Sequence, residues 1–275
     1  MLTIDADRND LMLSTRAVNH AMVVGLNRGT LYRFLAIALA SLFSSSTPAV
    51  IISPVKVELS PTQPVVTITV TNDSDVPMTL QNQVLAWSQL NGQDQLEESF
   101  DLLVAPVIAE IAPRANQIFR VTQRRQSVTV TERAYRLVLD DISGTAGSTG
   151  VDGVNFVFSH RLPVFVAGTG TRGPQLQLSP CPAVTEKSCF RLTNDGDSYT
   201  QIQQLMVTGG DWQQDLGGGT RILAGAWMQW TFLSPPLAVD HLTVTVNTNV
   251  GVTIFNLSNP KPLSIPTDSI PDELF

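Results

Sequence analysis

Residues 65–75 read VVTITVTNDSD. Val66, Ile68 and Val70 alternate with Thr67, Thr69 and Thr71. A strict period of two in β-branched residues is the signature of a half-buried strand. Asn72–Asp73–Ser74–Asp75 then supplies turn chemistry, because short polar side chains bond their own backbone. Upstream, Val55, Val57 and Leu59 alternate with Lys56 and Glu58, which predicts a further strand from residue 54. Downstream, strands are expected at 78–89, 100–105, 117–123, 134–142 and 154–167. Seven strands punctuated by Pro and Gly point to an immunoglobulin-like sandwich. No segment of helical period and ordinary length competes with this reading.

The stretch GTGTRGP (168–174) reads as a linker. Strands resume after it, at 175–179, 188–194, 199–208, 220–224, 226–233, 241–248 and 251–257. The expected fold class is therefore all-β, with two immunoglobulin-like sandwiches in tandem at 50–168 and 174–258. The Pro-rich acidic end, 259–275, reads as a mobile tail.

The first 49 residues have a different character. FLAIALASLF (34–43) is uncharged, follows Arg28 and Arg33, and precedes a small-residue stretch, Ser44 to Ala49. That order is the pattern of a secretory signal peptide, and the apolar run is too short to span a bilayer. Residues 1–21 serve no purpose in such a leader, so Met12 or Met22 is the expected start. Composition agrees with export. The 275 residues are 43 % hydrophobic and 15 % charged, with 17 basic and 24 acidic side chains and a net charge of −7. Losing 1–49 removes four basic residues (Arg8, Arg16, Arg28, Arg33) and three acidic ones (Asp5, Asp7, Asp10), leaving −8. An acidic chain without a basic tail is a poor nucleic-acid binder. Cys181 and Cys189, bracketing PAVTEKS, read as a hairpin-closing disulfide of an oxidising compartment.

Catalytic constellations are not found. His160 neighbours Ser159 within a strand, so their side chains point to opposite faces. Asp140 and Asp141 diverge in the same way. Gly217–Gly218–Gly219 lacks the lysine of a phosphate loop, and no metal-ligand set surrounds the cysteines. The chain is read as a non-enzyme without cofactor or metal. Two features stand out instead. Six arginines (114, 120, 124, 125, 133 and 136) fall within 23 residues opposed only by Glu132, a local basic strip. VNFVFSHRLPVFV (154–166) follows a small polar loop and places Val154, Phe156 and Phe158 on one face, in phase with Leu162. Such a strand is either the last core strand of the sandwich or, because a bulky apolar edge is otherwise a liability, a strand offered to another chain.

Several stretches, in this order, resemble the periplasmic pilus chaperones of the chaperone–usher pathway. SPVKVELSPTQPVVTITVTND (53–73) resembles the family's first two strands, and LQNQVLAWSQ (80–89) carries the third-strand Ala86–Trp87. LLVAPVIAEIAPRANQIFRV (102–121) is similar to the proline loop and the strand after it, with Arg114 where glycine is usual. YRLVLDDI (135–142) and RLPVFV (161–166) follow, the latter in the form of the archaic branch associated with spore-coat-U-like pili. The resemblance implies a periplasmic chaperone that lends a strand to pilus subunits lacking their last strand and hands them to an outer-membrane usher. It implies that Lys56 and Arg161 anchor the subunit's terminal carboxylate and that Val154, Phe156 and Phe158 are donor side chains. It further implies that Asp141 is an acidic residue at the domain junction, paired with a basic one. A secreted structural or adhesive two-domain protein, such as a pilus component, is the alternative.

Overall fold

The computed structural model describes residues 50–126, 128–143, 158–184, 187–235 and 239–258. The leader and doubtful start (1–49), the polar loop with Val154 and Phe156, and the tail (259–275) lie outside the described residues. The described residues, from Val50 onward, fall within one compact unit. All its regular elements among the described residues are strands, gathered around two apolar cores.

The first sandwich opens with β1 (Val50–Ser53), β2 (Val57–Leu59), β3 (Val65–Asn72), β4 (Met78–Leu90) and β5 (Gln93–Glu98). It continues with β6 (Leu102–Ala105), β7 (Ile108–Ile111), β8 (Asn116–Gln123), β9 (Arg133–Asp141) and β10 (Ser159–Val166). One sheet has the order β1-β3-β8-β6; the other runs β2-β10-β9-β4-β5, with β7 also on β4. Side chains at alternate positions fill the space between them. Ile68, Val70, Phe119 and Val121 come from one sheet, and Leu80, Tyr135, Leu137, Leu139, Leu162 and Val164 from the other.

The strand expected from residue 54 is only β2, and the unexpected β1 before it lies on the other sheet. The chain crosses from β1 to β2 at Pro54, whose peptide bond is cis. Val57 and Leu59 enter the core, while Val55 stands 70 % exposed at the crossing. Period two predicted a buried Val55 because alternation cannot see a change of sheet.

The second sandwich consists of β11 (Leu176–Val184), β12 (Lys187–Asn194), β13 (Thr200–Gly209), β14 (Trp212–Asp215), β15 (Arg221–Ile222), β16 (Trp227–Leu233), β17 (His241–Thr248) and β18 (Gly251–Ser258). Its sheets are β11-β12-β16 and β14-β13-β17-β18, with β15 on β13. Cys181 and Cys189 are directly opposite one another on β11 and β12 and are bonded, with Cα atoms 5.4 Å apart. That separation lies within the ordinary range for a disulfide.

Both sandwiches use the same polar staple. Asn72, 1 % exposed, ends β3, and its Nδ2 donates to the carbonyls of Val76, Ile111 and Ala112. Its Oδ1 accepts from Ser74 N and Oγ. Asn194, fully buried, ends β12 and donates to the carbonyls of Ser198 and Ile222, while its Oδ1 accepts from Gln175 N and Gly196 N. A buried amide must find partners, and here it closes loops whose backbone groups would otherwise be orphaned. The turn expected at 72–75 is therefore built around a core residue.

Candidate functional site: an open strand margin beside a cationic junction

β10 is the centre of the site. Its bond pattern with β9 is antiparallel along Ser159–Val166. On its other side β2 pairs with it in parallel, but only at Val164, Phe165 and Val166. Among the described residues nothing pairs with that side from Ser159 to Pro163. β10 is thus an edge strand over part of its length and an interior strand over the rest.

The orientation of its backbone follows from one bond. Asp141 N donates to Phe158 O at 3.0 Å. In an antiparallel ladder, residues alternate between facing the partner and facing away. Phe158, His160 and Leu162 therefore bond to β9, and Ser159 and Arg161 turn their N–H and C=O groups to the open margin. Pro163, next in that series, carries no N–H. The margin ends where β2 begins.

Side chains divide by parity. Leu162, Val164 and Val166 enter the first core, so Arg161, Pro163 and Phe165 lie on the outer face of the sheet. Phe158 shares the parity of Leu162, lies just before β10 and is 59 % exposed. Val154 and Phe156, expected to act with it as donor side chains, are outside the described residues.

The outer face meets the second sandwich. Phe165 stacks on Tyr199, with ring centroids 3.7 Å apart and 5° between planes, and Trp87 lies 6.0 Å from Phe165. Trp87, Phe165 and Ala134 pack into the second sandwich's core. Polar bonds frame this apolar contact. The Gln89 amide donates to Arg221 O and accepts from Leu223 N, both at 2.9 Å. Glu132 N donates to Asp197 O, and Glu132 Oε1 accepts from Tyr199 N, each at 2.9 Å. The linker is equally close: a Cβ at Gly168 would lie 2.1 Å from Val130 O, so only glycine fits there.

Lys56 stands at the head of β2 on this face. Its Nζ donates to Glu58 Oε1 at 2.7 Å and to the Tyr199 hydroxyl at 3.3 Å. The hydrogen bond to Glu58 chiefly raises its pKa, opposed by burial. By extension of the β2–β10 register, Lys56 is beside Pro163, two residues from Arg161. Arg161 is exposed and has no ion pair among the described residues. The structure thus puts Lys56 and Arg161 on one face, where the open margin stops.

Glu132 is the carboxylate at the junction, and sequence reasoning passed it over. Burial drives its pKa up to about 7, with Glu58 adding to the rise and Tyr199 N and Lys56 opposing it. Its only signal in the sequence was its isolation among arginines. Asp141, expected at the junction, lies at the other end of β9. Its Oδ1 accepts from Ser143 N at 2.9 Å and from Ser143 Oγ, and it has no ion pair among the described residues. The reason is direction: Ala134, near the start of β9, touches the second sandwich, and seven residues of strand span roughly 24 Å.

Three of the six arginines in the basic strip meet carboxylates in three dimensions, while Arg120, Arg124 and Arg125 are exposed. Arg114, at φ 58°, bonds Asp73 and Asp75 across the first sandwich's end. Arg133 is 3.6 Å from Asp101, and Arg136 is 3.9 Å from Asp94 while its guanidinium covers the Trp87 ring. Carboxylates distant in sequence supply the counter-charges that the 23-residue window lacked.

Comparisons with known proteins agree with this architecture. The fold is similar to that in the crystal structure of the CsuC–CsuE chaperone–tip adhesion subunit pre-assembly complex of archaic Csu pili from Acinetobacter baumannii. The TM-score is 0.59 at 16 % identity, covering 76 % of this chain and 97 % of that one. It is also similar to that in the Salmonella enterica SafA pilin–SafB chaperone complex, with TM-score 0.52 at 14 % identity, covering 78 % and 98 %. The Class 5 fimbriae chaperone CfaA gives 0.53 at 11 % identity, covering 76 % and 98 %. No curated protein matches the chain. Residues 49–171 match the family of pili and flagellar-assembly chaperones, PapD N-terminal domain. The first sandwich thus matches the PapD N-terminal domain family, and the two sandwiches together have the fold seen in those chaperone structures.

Proposed function

We propose that this protein is a periplasmic chaperone that holds pilus subunits by lending them β10 and the residues just before it, and passes them to an outer-membrane usher. The observation that supports this is the open margin of β10, which stops at Lys56 and Arg161. A guest strand laid along the margin would pair with the outward N–H and C=O groups of Ser159 and Arg161. It could extend no further than Pro163, because β2 occupies the margin beyond. The guest's terminal carboxylate would then fall beside two cations, one of them without an ion pair among the described residues.

Charge-assisted bonds to that carboxylate would set the register of the whole complex, since a slip of one residue turns every side chain to the wrong face. Val154, Phe156 and Phe158 would enter the subunit's groove, each contributing roughly 1.5–3 kcal/mol if fully buried. Assignment to the archaic branch rests on RLPVFV (161–166) and on the fold's likeness to the Csu structure. Periplasmic location rests on the leader pattern in residues 28–49.

The test is periplasmic co-expression with a pilus subunit that lacks its final strand. The wild-type chain should retain the subunit through purification. Lys56→Ala combined with Arg161→Ala should lose it, with the variant itself folded and secreted. Undiminished retention would refute the anchor.

A further inference from the structure

The junction holds a second cationic feature, separate from Lys56 and Arg161. A cavity of about 240 Å³ opens between the outer face of the first sandwich and the Gly219–Arg221 segment of the second. Trp87, Asp94, Arg136, Thr220 and Arg221 are among its lining residues. Two guanidiniums and one carboxylate leave the lining with net positive charge. Asp94 is itself shared, because its Oδ1 already accepts from Gln89 Nε2 at 2.9 Å. It reaches Arg136 only at 3.9 Å.

Arg136 is held in place by stacking, 3.6 Å from the Trp87 ring centroid. Arg221 and Arg161 both repel its charge. Half-buried cations that repel one another around a space of this size describe a receptor for negative oxygen.

We propose that this cavity is an oxyanion-binding site, in which Arg136, Arg221 and the Thr220 hydroxyl receive a phosphate or carboxylate. The ligand's chemistry is a compact group carrying one or two negative charges on several acceptor oxygens. Its source is a free anion of the surroundings or an acidic side chain of a bound protein. The site does not depend on the chaperone reading, since it is built wholly from this chain.

The experiment titrates the full chain with inorganic phosphate, and separately with N-acetylglutamate N-methylamide, against sodium chloride at matched ionic strength. Calorimetry and tryptophan emission report binding, the latter because Trp87 lines the cavity. Saturable binding of phosphate alone identifies a free anion; binding of the glutamate probe identifies an acidic side chain. Arg221→Gln should weaken binding at least tenfold. Arg120→Gln, which removes the same charge from an exposed position on β8, should leave it unchanged. Asp94→Asn should tighten binding several-fold, because it removes the competing carboxylate and keeps an acceptor for Gln89. Asp94 lies on an exposed edge strand, so this variant keeps the test decisive if Arg221→Gln fails to fold. No saturable binding of either probe, or equal affinity in the wild-type, Arg221→Gln and Asp94→Asn proteins, overturns the proposal.

Discussion

Glu132→Gln should abolish a pH dependence of stability located at the junction of the two sandwiches. The carboxyl of Glu132 is half-buried, accepts one bond from Tyr199 N, and lies near Glu58, so its pKa rises from 4.5 to about 7. A raised carboxyl pKa means that folding disfavours the ionised form. Its stabilising contribution is complete below pH 4.5, where folded and unfolded chains are both protonated. It declines as the unfolded chain ionises and is lost once pH passes about 7. At about 1.36 kcal/mol per unit the upper limit is about 3 kcal/mol, and partial solvent contact reduces this to about 2 kcal/mol. Glutamine keeps the acceptor for Tyr199 N and does not titrate. The assay is thermal unfolding of both proteins from pH 4 to 8.5. With roughly 2–4 °C per kcal/mol for a chain of this size, the variant's melting temperature should gain about 4–8 °C on the wild type across that range. The gain should centre between pH 4.5 and 7. A difference that stays constant with pH would refute the reasoning. Lys56→Ala removes the cation that opposes the rise, and should move the wild-type transition to higher pH.

Other outcomes follow from the same geometry. Asn194→Ala removes four hydrogen bonds from a fully buried position and should cost about 3–5 kcal/mol in urea unfolding, because several buried groups lose partners together. Gly92→Ala should lower stability by about 1–2 kcal/mol: φ is +72°, unfavourable for any Cβ, and the new atom would lie 2.8 Å from the Trp227 ring. The readout is the melting temperature, with Trp227 emission shifting alongside it. Cys181→Ser should cost up to about 2–3 kcal/mol on the loop-entropy model, measured against the reduced wild type, which should show the same loss.

Much of the fold was legible because it is local. The period-two run at 65–71, the Pro and Gly punctuation and the GTGTRGP stretch each act within a few residues, and β3, β4, β8, β9, β17 and β18 stand close to where the alternation puts them. β1, β5, β7 and β14 were not anticipated. β5, QDQLEE, has no buried residue and so no alternation to read. It exists because Asn91–Gly92, both at positive φ, turn the chain back along β4.

The site was legible only in part. Lys56, Arg161 and the donor face came from resemblance to a family. That they share one face of one sheet depends on the parallel pairing of β2 with β10, a contact between residues more than 100 apart. For Arg114, Arg133 and Arg136 the counter-charge was hidden for the converse reason: Coulomb attraction acts through space, and Asp73, Asp75, Asp94 and Asp101 lie outside the window that holds the arginines.

By itself, then, the sequence of VVTITVTNDSD and its counterparts determined that the chain forms strands, that the strands have one apolar face each, and that two sets of them are separated by a glycine-rich stretch. Those are consequences of side-chain period and backbone preference, which each residue carries with it. Only the tertiary structure decided that Val55 is at a crossing between sheets, that β10 is unpaired on one side as far as Pro163 among the described residues and covered beyond, and that Glu132 rather than Asp141 lies at the junction. Each of these depends on which distant strand lies alongside, and pairing, burial and charge are properties of neighbours in space.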